Sequence, residues 1–185
     1  MENMMERLRQ RDEEALQYIM NRYGNELIRS AYLMVKDQQL AEEIVQDGFV
    51  KVFDKIHQLQ DESKLKSWLM TIVLNQCRSK IRTKRFRFPF LPFDPSERDV
   101  ESGEDDSPEE LVVQMQKSES LVEHIHSLDH HYREVIILFY YHDYSLEKMV
   151  EITNVKKSTI KSRLRRARMQ LRDRLEKGET IDEAT

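Results

Sequence analysis

The sequence predicts an all-α protein made of two small helical domains joined by a flexible acidic linker. Its 185 residues include only four Gly and four Pro, a composition that favours helices over a turn-rich β fold. Apolar residues recur at helical spacing through most of both halves. The exception is the stretch 86–110, which holds all four prolines and has no helical period. We therefore predict domains at residues 1–85 and 111–177, a linker at 86–110 and a disordered tail at 178–185.

The net charge of −4 conceals a strong segregation of charge along the chain. Residues 94–110 hold nine Asp and Glu against one Arg, whereas residues 78–87 hold six basic residues and no acid. Residues 156–177 hold ten Lys and Arg against two acids. Basic runs of this kind are either solvated faces or surfaces that bind nucleic acid.

Two further features bound where the protein works. The start, MENMMERLRQ, has no apolar signal region, and the longest apolar run, 135–141, is far too short to span a bilayer. The single cysteine, Cys77, cannot form an internal disulfide, which fits a reducing compartment. We therefore expect a cytoplasmic protein.

In the first half, the pattern predicts two helices within 12–36 that break near Gly24–Asn25, a helix over 38–56 and another over 64–82. The apolar face of the 38–56 helix comprises Leu40, Ile44, Val45, Phe49, Val52, Phe53 and Ile56. Its polar side carries Glu42, Glu43, Gln46, Asp47 and Lys51. Glu43 and Asp47, one turn apart, could suggest a metal site, but no third ligand is at hand, and we predict no metal and no cofactor.

The first part of the linker is unusually apolar. Its apolar residues are Phe86, Phe88, Phe90, Leu91 and Phe93. They could pack back on a neighbouring domain or dock in a channel of a partner, and the sequence alone favours the first interpretation.

In the second half, a helix that Asp129 could cap is followed by short helices over 145–153 and 158–176, with Asn154 in the turn between them. The second short helix has an apolar stripe, Ile160, Leu164, Ala167, Leu171 and Leu175. A basic ridge on another side comprises Lys161, Arg165, Arg168 and Arg172. Ser158 or Thr159 could cap its start. This arrangement predicts a DNA-binding helix-turn-helix, whose second helix enters the major groove.

No catalytic constellation stands out, so we expect neither an enzyme nor a small-molecule substrate. Five histidines cluster loosely in the second half: His124, His126, His130, His131 and His142. They straddle a predicted helix boundary near Leu128–Asp129, and Cys77 is distant in sequence, so we interpret them as surface histidines rather than as metal ligands.

Three stretches resemble one known family. The stretch LDHHYREVIILFYYHDYSLEKMVEITNVKKSTIKSRLRRARMQLR (128–172) closely resembles region 4 of the extracytoplasmic-function sigma factors, small two-domain initiation factors of bacterial RNA polymerase. AEEIVQDGFVKVF (41–53) resembles their region 2.2, and SWLMTIVLNQCRSKIRTK (67–84) resembles regions 2.3 and 2.4. The resemblance implies an alternative sigma factor that binds core polymerase and directs promoter-specific initiation.

The resemblance also implies roles for particular residues. The polymerase β′ coiled coil would be contacted by Glu42, Glu43, Gln46, Asp47 and Lys51. The −10 element would be opened and held by Lys64, Trp68, Asn75, Arg78, Ser79 and Arg82, although Trp68 falls on the apolar face and could serve the core. In the −35 element, bases would be read by Ser158, Thr159, Ser162, Arg163 and Arg166. Phosphates would be bound by Lys157, Lys161, Arg165 and Arg168.

The chain departs from the family at several positions. Gly48 is smaller than the usual residue, Ser79 stands where many relatives have Asp, and Val150 and Ser158 replace a usual Ala and Gly. The resemblance also implies three further partners: the polymerase β flap, promoter DNA and an anti-sigma factor, which is often membrane-anchored. It further implies that the linker would pass near the polymerase active centre and RNA exit path. Two alternatives remain at this point: a helix-turn-helix regulator that acts independently of core polymerase, and a protein-interaction adaptor.

Overall fold

The computed structural model describes residues 4–87 and 121–182, and within these ranges every regular element is helical. The predicted all-α class is confirmed. The chain divides into two compact units, Met1–Pro92 and Phe93–Thr185, which are described separately below. Most of the predicted linker lies outside the described residues. No helix within 4–87 or 121–182 combines the length and hydropathy that crossing a membrane requires.

The first unit is a bundle in which three long helices pack on one another. Its helices are α1 (Met4–Arg9), α2 (Glu13–Val35), α3 (Gln38–Lys55) and α4 (Leu65–Arg87), with 3₁₀ turns at Ile56–Gln58 and Glu62–Lys64 between α3 and α4. The helices α2, α3 and α4 contact one another pairwise, and α1 packs on α2 and α3. Fully buried side chains come from all three long helices and include Ile19, Met34, Ile44, Met70 and Leu74. Cys77 of α4 is also buried.

The break predicted near Gly24–Asn25 is wrong, because α2 is one continuous helix. Gly24 lies buried inside it, and a Cβ at that position would come within 4.0 Å of the Phe49 ring. An alanine would fit there at ordinary contact distance, so packing does not require the glycine. The burial of α2 against its neighbours keeps the helix continuous despite the low helix propensity of glycine. The helix ends instead at Lys36, which is left-handed with φ 64° and donates its backbone N–H to the Tyr32 carbonyl.

The helix α4 continues to Arg87, past the predicted end at residue 82. Lys and Arg have good helix propensity, and no proline occurs before Pro89. The basic run 78–87 therefore extends the helix.

The second unit is built around one long helix. Its elements are α5 (Leu121–Ser127), α6 (His130–Ile136), a π-helical turn (Ile137–Tyr141), α7 (Leu146–Thr153) and α8 (Lys157–Asp182). The helices α5, α6 and α7 all pack on α8. The predicted stripe of α8 is buried throughout, comprising Ile160, Leu164, Ala167, Leu171 and Leu175.

The start of α6 is capped as predicted, since the Asp129 carboxylate accepts a hydrogen bond from the His131 backbone N–H at 3.1 Å. The π-helical turn that follows was not predicted. It changes which side chains face inward: Ile137 is buried, whereas Phe139 is only partly buried. A π turn contains one extra residue, so the 3.6-residue period used for the prediction does not apply beyond it.

Two predictions about α8 are corrected. The helix begins at Lys157, so Ser158 and Thr159 lie in its first turn and neither is its N-cap. It ends at Asp182, so residues 178–182 are helical rather than part of a disordered tail. Extending a formed helix adds a hydrogen bond for each residue, without a new nucleation cost. Residues 183–185 lie outside the described part of the chain.

Candidate nucleic-acid interface

A groove of about 580 Å³ lies between α3 and α4 of the first unit. Its lining residues are Asp47, Lys51, Lys55, Gln58, Trp68, Thr71, Ile72, Asn75, Gln76, Ser79 and Lys80. The groove therefore joins two sets of predicted residues: Asp47 and Lys51 from the polymerase set, with Trp68, Asn75 and Ser79 from the −10 set. The sequence places the two sets on separate helices, and helical periodicity does not show that these helices pack together.

The groove combines an aromatic ring, amides and cations. Trp68 is partly buried, so one part of its indole contributes to packing and another reaches the groove. Asn75 is exposed, and its carboxamide oxygen accepts a hydrogen bond from the Arg78 guanidinium at 2.7 Å. Three lysines, at 51, 55 and 80, lie around it. Aromatic stacking with cations beside it is the chemistry that holds unpaired bases and single-strand phosphates.

The remaining −10 candidates lie outside the groove lining. Lys64 is exposed in the second 3₁₀ turn, and Arg82 is exposed further along α4. Several lining residues were missed, among them Thr71 and Gln76. The spacing of Trp68, Thr71, Asn75 and Ser79 by three and four residues marks one face of α4, and this signal could have identified Thr71.

The polar side of α3 forms an exposed surface, as predicted. Glu42, Glu43, Gln46 and Asp47 are all exposed. Beside them Val50 is 68% exposed, an apolar side chain outside the predicted contacts. A single exposed apolar residue is common on protein surfaces and does not by itself mark an interface.

The helix-turn-helix of the second unit is fixed at both ends of its first helix, α7, and across the turn that follows. The Ser145 hydroxyl caps α7 by accepting from the Lys148 backbone N–H at 3.2 Å. Asn154 ends α7 in the left-handed conformation, with φ 56° and ψ 33°, as predicted. Met149 and Ile160, on either side of the turn, are fully buried. The turn is therefore held by capping and by packing.

The predicted DNA contacts on α8 differ in their surroundings. The exposed members are Lys157, Ser158, Lys161 and Arg165, and the partly buried ones are Thr159, Ser162, Arg163, Arg166 and Arg168. Among the cations, Lys161 and Arg165 are exposed, whereas Lys157 and Arg168 each bind a neighbouring element.

Lys157 and Arg168 each bind a neighbouring element. The Lys157 ammonium pairs with the Glu147 carboxylate of α7, and this hydrogen bond lowers the pKa of Glu147. The Arg168 Nε donates to the Tyr140 hydroxyl at 2.9 Å, and its guanidinium lies 5.7 Å from the Phe139 ring centroid. Arg168 therefore ties α8 to the π-helical turn.

The histidines lie on both sides of a helix boundary, as predicted, since α5 ends at Ser127 and α6 begins at His130. Their interpretation as surface residues is wrong for His142, which is buried, and the other four are partly buried. Asp129, His130 and His131 place one possible ligand atom each within 4.8 Å of one another. Asp129 is already the helix cap and lies 3.1 Å from the His130 Nδ1, so helix capping accounts for this grouping.

Comparison with known proteins assigns the chain to a family. Residues 19–87 match the family profile for sigma-70 region 2, and residues 118–171 match that for sigma-70 region 4. Together these matches cover well over half of the chain. It belongs to the sigma-70 family. This sigma factor is of the extracytoplasmic-function group, whose members direct transcription with RNA polymerase, so the resemblance found in the sequence is confirmed.

Individual relatives agree with this assignment. This sigma factor is 28% identical over 172 residues to the ECF RNA polymerase sigma factor SigW of Bacillus subtilis strain 168, a match covering 89% of this chain and 90% of SigW. Its fold resembles that of CnrH in complex with the cytosolic domain of CnrY, with TM-score 0.64, 18% identity and coverage of 94% and 95%. It also resembles the sigma factor RpoE in complex with the anti-sigma factor NepR from Bartonella quintana, with TM-score 0.61, 24% identity and coverage of 87% and 96%.

Proposed function

We propose that this sigma factor divides initiation between its units. The first unit binds core polymerase and holds the opened −10 element, and the second reads the −35 element as duplex. The observation that supports this most strongly is the groove between α3 and α4, because it brings Trp68, Asn75 and Ser79 together with several lysines.

The groove suits the capture of a strand that has left the duplex. Unpairing a base is unfavourable by a few kcal/mol, so a melting protein must stabilise the extruded base and its phosphates. Trp68 offers a ring face, the Asn75 carboxamide offers hydrogen bonds to a base edge, and Lys51 and Lys80 offer charge. Lys64, Arg78 and Arg82 would bind the strand on either side.

The second unit would place the first turns of α8 in the major groove. Lys161 and Arg165 are exposed cations of this helix and the best candidates for phosphate contacts. Ser158, Thr159, Ser162, Arg163 and Arg166 are the candidates for base contacts. The charge of Lys157 is already partly balanced by Glu147, so it should contribute less, and Arg168 would act through packing.

Core polymerase would bind the exposed side of α3. Glu42, Glu43 and Gln46 supply polar contacts there, and Val50 supplies an apolar centre. An anti-sigma factor is the expected antagonist, since one solved structure of this fold is a complex with the anti-sigma factor NepR. The chain would perform no chemistry of its own, because polymerase makes the RNA.

Run-off transcription with purified core polymerase and fragmented genomic DNA tests the proposal. We expect discrete new transcripts that share upstream sequences and appear only when this protein is added. Replacing Asn75 with Ala should then abolish promoter opening while core binding remains. Absence of new transcripts, together with specific duplex binding by the protein alone, would support a regulator independent of polymerase instead.

A further inference from the structure

Gln76 of α4 makes two hydrogen bonds that cross to α3. Its side-chain Nε2 donates to the backbone carbonyl of Ile44 at 3.1 Å. Its Oε1 accepts from the Lys51 ammonium at 3.0 Å. One carboxamide thus connects the backbone of α3 to a cation two turns further along the same helix.

Gly48 provides the space in which the Gln76 side chain lies. A Cβ at residue 48 would be 3.4 Å from the Gln76 Nε2, 3.5 Å from a methyl of Val73 and 3.7 Å from a methyl of Ile72. A methyl group would just fit there, but any longer side chain would occupy the path from Gln76 to Ile44. The small residue at position 48 is therefore matched to Gln76.

The bond to Gln76 fixes where the Lys51 charge lies. A lysine ammonium ends a flexible four-carbon chain and has three donor hydrogens. Lys51 is exposed, and both it and Gln76 line the groove between α3 and α4. One donor used by Gln76 holds the ammonium at the groove, and two remain for a phosphate. A side chain that is already placed loses less entropy when it binds.

We propose that Gln76 is a positioning residue for promoter opening, which holds Lys51 against the phosphates of the displaced −10 strand, and that Gly48 makes this possible. The inference rests on the proposed function of the groove. The proposal moves Lys51 from the polymerase-binding set to the strand-binding set. Gln76 would act through Lys51 and not by contacting the nucleic acid itself.

The test measures promoter opening by the holoenzyme with a fluorescent base analogue in the −10 element, at a promoter identified by run-off transcription. Gln76→Met, which keeps the size of the side chain but removes both hydrogen bonds, should lower the opening equilibrium about two- to tenfold, the range expected for one hydrogen bond. Affinity for core polymerase should not change. Gln76→Glu keeps an acceptor for Lys51 but should not restore opening, because its carboxylate would compete with the phosphate for the ammonium and would face the Ile44 carbonyl oxygen.

A double-mutant cycle with Lys51→Met separates positioning from a merely structural role. If Gln76 acts through Lys51, then Gln76→Met should cause no further loss in a Lys51→Met background. Gln17→Met is the matched control, because it makes the same change at an exposed glutamine of α2 whose side chain bonds to Asn21 of its own helix, and it should open promoters like the wild type. An equal loss in both backgrounds, or a loss of core affinity with Lys51→Met, would overturn the inference.

The variant Asn75→Ala distinguishes failure of the positioning role of Gln76 from failure of the proposed function of the groove. If Asn75→Ala impairs opening and Gln76→Met does not, the groove is the −10 site and only the positioning role is refuted. If neither variant affects opening, the groove does not bind the strand, and both proposals are wrong.

Discussion

Replacing Lys161 and Arg165 together with Ala removes two exposed cations from α8 and leaves its buried stripe unchanged. Each phosphate contact releases DNA counterions and contributes about 0.9 to the slope of log affinity against log salt. The variant holoenzyme should therefore show a slope smaller in magnitude by about 1.8. When the salt concentration is doubled, the factor by which the promoter affinity falls should be about 3.5 times smaller for the variant than for the wild type.

Fluorescence anisotropy of a labelled promoter, titrated with holoenzyme at several salt concentrations, gives this slope directly. Lys157→Ala is the comparison, since its ammonium already pairs with Glu147 and should contribute less. Affinity of the Lys161 and Arg165 variant for core polymerase should match that of the wild type. A weaker promoter complex with an unchanged salt slope would refute the phosphate assignment, and loss of core binding would refute the division of labour between the units.

Three further predictions concern other surfaces. Reversing the charge at Glu43 and Asp47 should weaken core binding in a pull-down with purified polymerase; unchanged binding would place the interface elsewhere. Asp129→Ala should lower the free energy of unfolding by about 1 kcal/mol through loss of the helix cap. Burial raises the pKa of Asp129, but hydrogen bonds from His130 and a backbone N–H outweigh it and hold the pKa well below the ordinary range. The stabilisation from this charge should thus be present above the pKa of Asp in the unfolded chain and be lost as pH falls towards its pKa in the folded protein. In urea titrations, the stability advantage of the wild type over Asp129→Asn should therefore shrink at low pH. Tyr140→Phe removes the acceptor for the Arg168 guanidinium and should cost about 0.5–1.5 kcal/mol of stability; unchanged denaturation midpoints would mean that this bond contributes nothing.

Features that depend on one helix alone were predictable from the sequence. The buried stripe of α8 follows from apolar residues spaced by four and three, from Ile160 to Leu175, because a helix places such residues on one side. Asn154 in the turn was predictable for a similar reason, since asparagine tolerates the left-handed conformation better than most residues do. The cap at Asp129 is equally local.

Features that depend on two elements were not predictable. The groove exists because α3 and α4 pack side by side, and its central contact joins Lys51 to Gln76, 25 residues apart. The low helix propensity of Gly24 predicts a break there, whereas the packing of α2 on α3 and α4 keeps the helix continuous. The pairing of Lys157 with Glu147 likewise requires the turn geometry, which a periodic pattern does not contain.

The position of Cys77 gives the first unit an internal reporter of its own opening. It is the only cysteine in the sequence, and its side chain is fully buried within α4. A thiol reagent can reach it only when the surrounding bundle opens, so the rate of labelling measures how often that occurs. The second unit contains no thiol, so the labelling signal comes from the first unit alone. Transient opening of the bundle can therefore be measured in the unmodified protein before and after polymerase binds.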